Sequence, residues 1–207
     1  MAHTSNLRSN IACKLNLATI AAWQERRPIW LLMGLTALGL ELLAWGVFQK
    51  IQGYEACELC VYIRFSMILF FIASLFALIN PRSLVLRLIT YSISLYSLVK
   101  GWIWDIRLEQ QHIMLEKIEQ GMDFFAAGGA LEACSTEPRF PFGLPLHEWF
   151  PSNFQPTGVC GADGWLMLGF NMSECLFLFY GAYTLLGLLF FAATVKYKIL
   201  RKIACYQ

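Results

Sequence analysis

Charge is scarce in this chain: Asp, Glu, Lys and Arg make up 14% of its 207 residues, against 57% hydrophobic. A water-soluble globule needs a denser polar shell than that, so composition excludes an ordinary soluble domain. Histidine is scarcer still. His3, His112 and His147 are too few and too scattered to hold a haem between facing membrane helices, which excludes a cytochrome. A net charge of +2 gives no reason to invoke nucleic acid, and no internal repeat, low-complexity tract or second soluble domain interrupts the chain. A cleaved signal peptide is not expected, because the first apolar run is too long for a signal core and no small-residue site closes it. Arg26 and Arg27 stand in E-R-R-P-I without the rest of a twin-arginine export pattern, and read as basic anchoring.

What the chain has in quantity is long apolar runs. Crossing a hydrocarbon core takes about 20 helical residues, and four segments qualify: 29–48, 61–79, 84–104 and 175–195. The runs are continuous rather than alternating, and a backbone in lipid must satisfy its own hydrogen bonds, so helices are favoured over a barrel. The expected fold is an all-α integral membrane protein, a four-transmembrane-helix bundle. Its membrane domain covers 29–195, with a segment 1–28 before it and a tail 196–207 after it. Asn80 and Pro81 make a tight break between the second and third spans, which therefore form an antiparallel hairpin.

Basic residues set the orientation, since Lys and Arg flanks are retained in the cytoplasm. Arg8, Lys14, Arg26 and Arg27, then Arg82 and Arg87, then Lys196, Lys198, Arg201 and Lys202 mark one side, with Glu25 as the acid among them. The loops 49–60 and 105–174 carry twelve acids against few bases. Both termini are therefore expected in the cytoplasm and both loops outside. The longer loop opens with an amphipathic stretch around Ile106, Ile113, Met114 and Ile118, expected to lie on the membrane, and then turns rich in Gly, Pro and aromatics.

The seven cysteines sort by side. Cys57, Cys60, Cys134 and Cys160 fall on the outer face, Cys175 near the outer end of the fourth span, and Cys13 and Cys205 in the cytoplasm. In an oxidising outer compartment disulfides persist. Four outer cysteines permit three pairings, and loop proximity favours Cys57 with Cys60 and Cys134 with Cys160. The C-E-L-C motif at 57–60 stands where a membrane helix begins, and there the backbone N–H groups and the helix dipole favour a thiolate. Arg64 lies one turn beyond Cys60 on the same face, a permanent cation at a depth where charge is costly without a purpose. Duller readings exist for each feature. The pair could be half of a zinc site, but Cys134 and Cys160 are too far apart in sequence to be the other half; the disulfides could be structural staples; Arg64 and Lys100 could snorkel to the interface. Glu41 is expected to face the bundle, as a helix-to-helix hydrogen bond or a proton-handling group, and Cys175 to be a small buried apolar residue.

With C-E-L-C-V-Y-I-R at 57–64, Cys134, L-P-L-H-E-W-F-P-S-N-F at 144–154 and T-G-V-C at 157–160 in this order, the chain resembles the DsbB/DsbI family over about residues 28–195. These are quinone-linked disulfide-forming proteins of the bacterial inner membrane. The resemblance implies an enzyme, a protein-disulfide oxidoreductase with Cys57, Cys60, Cys134, Cys160 and Arg64 as catalytic residues. It implies a ubiquinone or menaquinone held near Arg64, Cys60 and His112. It also implies a periplasmic DsbA-type thioredoxin-fold partner that attacks Cys134, after which Cys160 attacks Cys57 and Cys60 is left as a thiolate beside the quinone. His112 in H-I-M-L-E matches a family position, although Glu116 stands where an amide is familiar and Ile63 replaces a glutamate. An insert around 117–131 points to the DsbI branch and a dedicated DsbL-like partner.

Two other functions are to be weighed. A vitamin K epoxide reductase-like protein is also a small helical bundle with C-x-x-C, but its loop cysteines precede that motif, whereas here Cys57 and Cys60 come first. A non-catalytic membrane subunit stapled by disulfides would lose stability in Cys60→Ser but keep thiol oxidation by the remaining machinery intact.

Overall fold

The computed structural model describes residues 20, 22–121, 137–158, 160 and 171–204. Its first long helix, α1 (Arg27–Leu42), carries Pro28 in its first turn, where a residue without an N–H leaves no donor unsatisfied. The helix then widens into a π-helical segment, Leu43–Ile51. Gly53, at φ +74°, turns the chain through the left-handed region that glycine enters without steric cost. Helix α2 (Glu58–Ile79) starts directly after Cys57 and ends where Asn80 leaves helical geometry ahead of Pro81. Helix α3 follows (Leu84–Glu119), then the single turns α4 (Leu146–Trp149) and α5 (Pro151–Phe154), then α6 (Met172–Ala204). A reciprocal cap opens α6: Glu174 N–H donates to Asn171 Oδ1 at 2.7 Å and Asn171 N–H to a Glu174 carboxylate oxygen at 2.8 Å.

The four-helix expectation holds. Arg27–Ile51, Glu58–Ile79, Leu84–Glu119 and Met172–Val195 are long and apolar enough to cross a membrane. Most of the apolar stretch of α2 is buried, while the other three helices leave most of theirs on the surface, so α2 is the central helix. The exposed side chains include Leu32, Leu88, Leu95, Leu188 and Phe191. That surface is a liability in water and the ordinary one in lipid.

The third helix differs from the expectation. The sequence reading ends the span at 104 and lets an amphipathic stretch begin the loop; that stretch is instead the continuation of α3 to Glu119. No Pro or Gly falls between Gly101 and Gly121, and the residues there are good helix formers. Gly121, at φ +98°, closes the helix as a left-handed residue just past its end. Hydropathy marks where the membrane stops, not where the hydrogen-bonded helix does.

Two apolar clusters fill the bundle. One, at the Cys57 end, joins Cys57, Cys60 and Cys160 to Trp104, Leu108, Phe140, Phe154, Leu176 and Tyr180. The other joins Trp30, Met33, Ala37 and Phe70 to Tyr183 and Phe190. At the far end Gln24, fully buried, ties three helices together. Its Oε1 accepts from Arg87, Tyr91 and Thr194, and its Nε2 donates to Phe190 O at 2.7 Å.

Candidate functional site

Cys57 is the N-cap of α2: it has extended backbone geometry, and its Sγ accepts the N–H of Cys60 at 3.2 Å. The C-x-x-C spacing produces this contact, because a cap side chain reaches the N–H three residues on. The T-G-V-C segment is docked against the same turn. Thr157 N–H and Gly158 N–H both donate to Ala56 O, at 2.9 and 3.1 Å. Cys160 is thereby carried to Cys57, and their side chains hydrogen-bond. Cys57 and Cys60 are present as two thiols rather than bonded to one another. The hydrogen bond with Cys160 first, then that with Cys60 and burial, hold the Cys57 thiol well above its ordinary pKa.

The loop stays in place through Phe140, whose ring packs on Tyr62, Phe65 and Phe154 at centroid distances of 5.5 to 5.6 Å. Tyr62 adds a polar clamp, donating its hydroxyl to Glu58 at 2.7 Å and accepting Arg139 N–H at 2.8 Å.

Beyond Cys60 lies a cavity of about 150 Å³. Leu40, Glu41, Leu43, Ala44, Phe48 and Gln49 form one wall, Cys60, Ile63, Arg64 and Met67 the next, and Met172, Cys175, Leu176 and Phe179 the third. Tyr54, Glu55 and Ala56 complete the lining, and of these Tyr54 and Glu55 are exposed. The lining is mostly apolar, with Arg64 as its cation. The guanidinium is buried, donating to Gln49 Oε1 at 2.6 Å and to Asn153 O at 3.2 Å. Its Nε lies 3.9 Å from Glu41 Oε1, a charge pairing without a hydrogen bond. The π-helical turns bring Gln49 round to Arg64, and such widened turns recur at functional sites.

The sequence reading named six site residues. The structure brings Cys57, Cys60, Cys160 and Arg64 together. Cys134, its pairing with Cys160, and most of the insert around 117–131 lie outside the described residues. His112 sits half-buried on α3 and is not among the cavity-lining residues. Sequence reasoning passed over Gln49 and Asn153. Only the π-helical register brings Gln49 to Arg64, and only the fold of the returning loop places the Asn153 carbonyl. Cys175, read as a small core residue, lines the cavity opposite Cys60's helix.

The family model described as disulfide bond formation protein DsbB matches residues 26–190. The chain is 44% identical over 167 residues to a DsbI protein of Shewanella oneidensis, covering 79% of each chain. It is 39% identical over 157 residues to the protein-disulfide oxidoreductase DsbI of Lelliottia amnigena, covering 76% of this chain and 69% of that one.

Proposed function

Because this chain belongs to the DsbB family of disulfide bond formation proteins, we propose that it is a thiol:quinone oxidoreductase. On this reading it reoxidises a periplasmic DsbA-type dithiol protein from the bacterial inner membrane, with both termini cytoplasmic and the Cys57 end facing the periplasm. Its relatives' DsbI names make a dedicated DsbL-like partner the favoured form of that protein. The observation that carries the reading is the position of Cys60, which lies between a cysteine cluster and an apolar cavity walled by a buried arginine.

The residues fit a quinone. A cavity of about 150 Å³ admits a benzene-sized ring, and Cys60 and Arg64 share its lining. A bound quinone supplies an acceptor for two electrons and two protons. Cys134 receives the partner's thiolate in a mixed disulfide, releasing Cys160. Docking on Ala56 O presents Cys160 to Cys57, and attack there displaces Cys60 as a thiolate. The charge on Arg64 favours that anion and holds negative charge developing in the cavity without needing to reorganise. Gln49 and Asn153 fix the guanidinium by accepting from it.

The test is quinone reduction, followed by absorbance, when a reduced DsbA-type partner is added to the purified protein. Activity is expected in the unmodified chain and loss in both Cys60→Ser and Cys134→Ser. Quinone left unreduced with every such partner would return the chain to a disulfide-stapled membrane subunit.

A further inference from the structure

Glu41 is a carboxylate in the middle of an apolar helix, about one-tenth exposed at its side chain, and it lines the same cavity as Cys60. Its Oε1 has no hydrogen-bond partner, and its cation Arg64, at 3.9 Å, gives its own hydrogen bonds to Gln49 and Asn153 instead. A carboxylate retained only as a counter-ion would be expected to take those bonds, because a buried charge is expensive unless it is hydrogen-bonded. The other ionisable groups of the lining are Cys60 and Arg64 on α2, Cys175 on α6, and Tyr54 and Glu55 at the exposed mouth.

Closing the Cys57 to Cys60 disulfide releases two electrons and two protons, and a quinone takes up both pairs. We propose that Glu41 moves one of those protons: its Oε1 receives a proton released as the cysteine pair closes and gives it to the acceptor oxygen, so the carboxylate is regenerated in each turnover. The second proton exchanges with water at the mouth beside Tyr54 and Glu55. This inference rests on the quinone reading above. Glu41 is the buried lining residue suited to the task, since Arg64 never gives up its proton and Cys60 reacts as a thiolate.

The experiment compares the unmodified protein with Glu41→Gln and Glu41→Asp, using a short-chain benzoquinone as the probe. Binding is measured by quenching of tryptophan fluorescence, and single-turnover reduction by the reduced protein is measured across pH. Glu41→Gln is expected to slow reduction on the order of 100-fold and to flatten its pH profile, with binding little changed and partial recovery in Glu41→Asp. Infrared difference spectra of the unmodified protein are expected to show a carboxylic acid band that changes on quinone reduction. That measurement stands even if Glu41→Gln fails to fold. Unaltered kinetics in Glu41→Gln, affinity falling in step with rate, or no carboxylic acid band would overturn the proposal. Failure of the unmodified protein to bind or reduce the benzoquinone would instead overturn the quinone reading, and this inference with it.

Discussion

Replacing Gly158 with alanine is expected to pull Cys160 away from Cys57. An added Cβ would meet Glu55 O at 2.8 Å and Glu55 C at 3.1 Å, and backbone atoms cannot swing aside as a side chain would. Relief comes from lifting the segment off Ala56 O, which breaks the bonds from Thr157 N–H and Gly158 N–H. At a net ~0.5–1.5 kcal/mol for each bond, the docked state loses about 1–3 kcal/mol. At 1.4 kcal/mol per tenfold, the effective concentration of Cys160 at Cys57 falls by about 5- to 150-fold. In a Cys60→Ala, Cys134→Ala background, equilibration against a glutathione buffer reads that quantity directly as the yield of the Cys57 to Cys160 disulfide. Gly39→Ala, with nothing within 4 Å of its added methyl, is the control. An unchanged yield in Gly158→Ala would refute the claim that this backbone docking presents Cys160 to Cys57.

Three further outcomes are expected. Arg64→Met removes the cation from the cavity and should lower the rate of quinone reduction by about 10²–10³-fold while leaving partner binding intact; equal kinetics would remove Arg64 from the mechanism. The reduced protein's Cys57 should react with iodoacetamide ever faster as pH rises past about 8.5, where an ordinary thiol levels off, and Cys160→Ala should move that profile to lower pH by removing the hydrogen bond that raises the Cys57 pKa most. Gly101→Ala should destabilise the bundle by about 1–3 kcal/mol in a thermal unfolding assay in detergent, because its methyl would collide with the ring and hydroxyl of buried Tyr180. A transition unmoved by that substitution would mean that Tyr180 has room to give.

The membrane fold was legible because lipid imposes one rule on backbone and side chains alike, and the apolar runs, the Asn80–Pro81 break and the Cys60 to Arg64 spacing obey it directly. What stayed hidden depends on register and on chain return. Residues 105–119 are too polar to signal a span yet carry no helix breaker, so hydropathy and helix propensity disagree there and the backbone followed propensity. The position of Gln49 requires a π-helical register that no periodicity at 3.6 residues discloses. Asn153 and Gly158 act through their main chains, and a backbone carbonyl or a missing Cβ leaves little trace in side-chain chemistry. Glu41 stands out in the sequence as a carboxyl within an apolar helix, but that the hydrogen bonds of Arg64 go to Gln49 and Asn153 rather than to it depends on the fold.

The seam between α1 and α6 is zipped at one end and parted at the other. Toward Gln24, Tyr183 bonds to Thr36 and to Met33 O, and Thr194 and Phe190 reach Gln24. Toward Cys57 the same two helices stand on opposite walls of the cavity, where Leu40 and Leu43 line the interior and are also exposed on the outside of the bundle. The consequence, on the proposed reading, is two sides of approach: the cavity's apolar flank at Leu40 and Leu43 borders the lipid-facing surface and suits an acceptor dissolved there, while the loop docked on Ala56 stands between Cys57 and a thiol protein in the water.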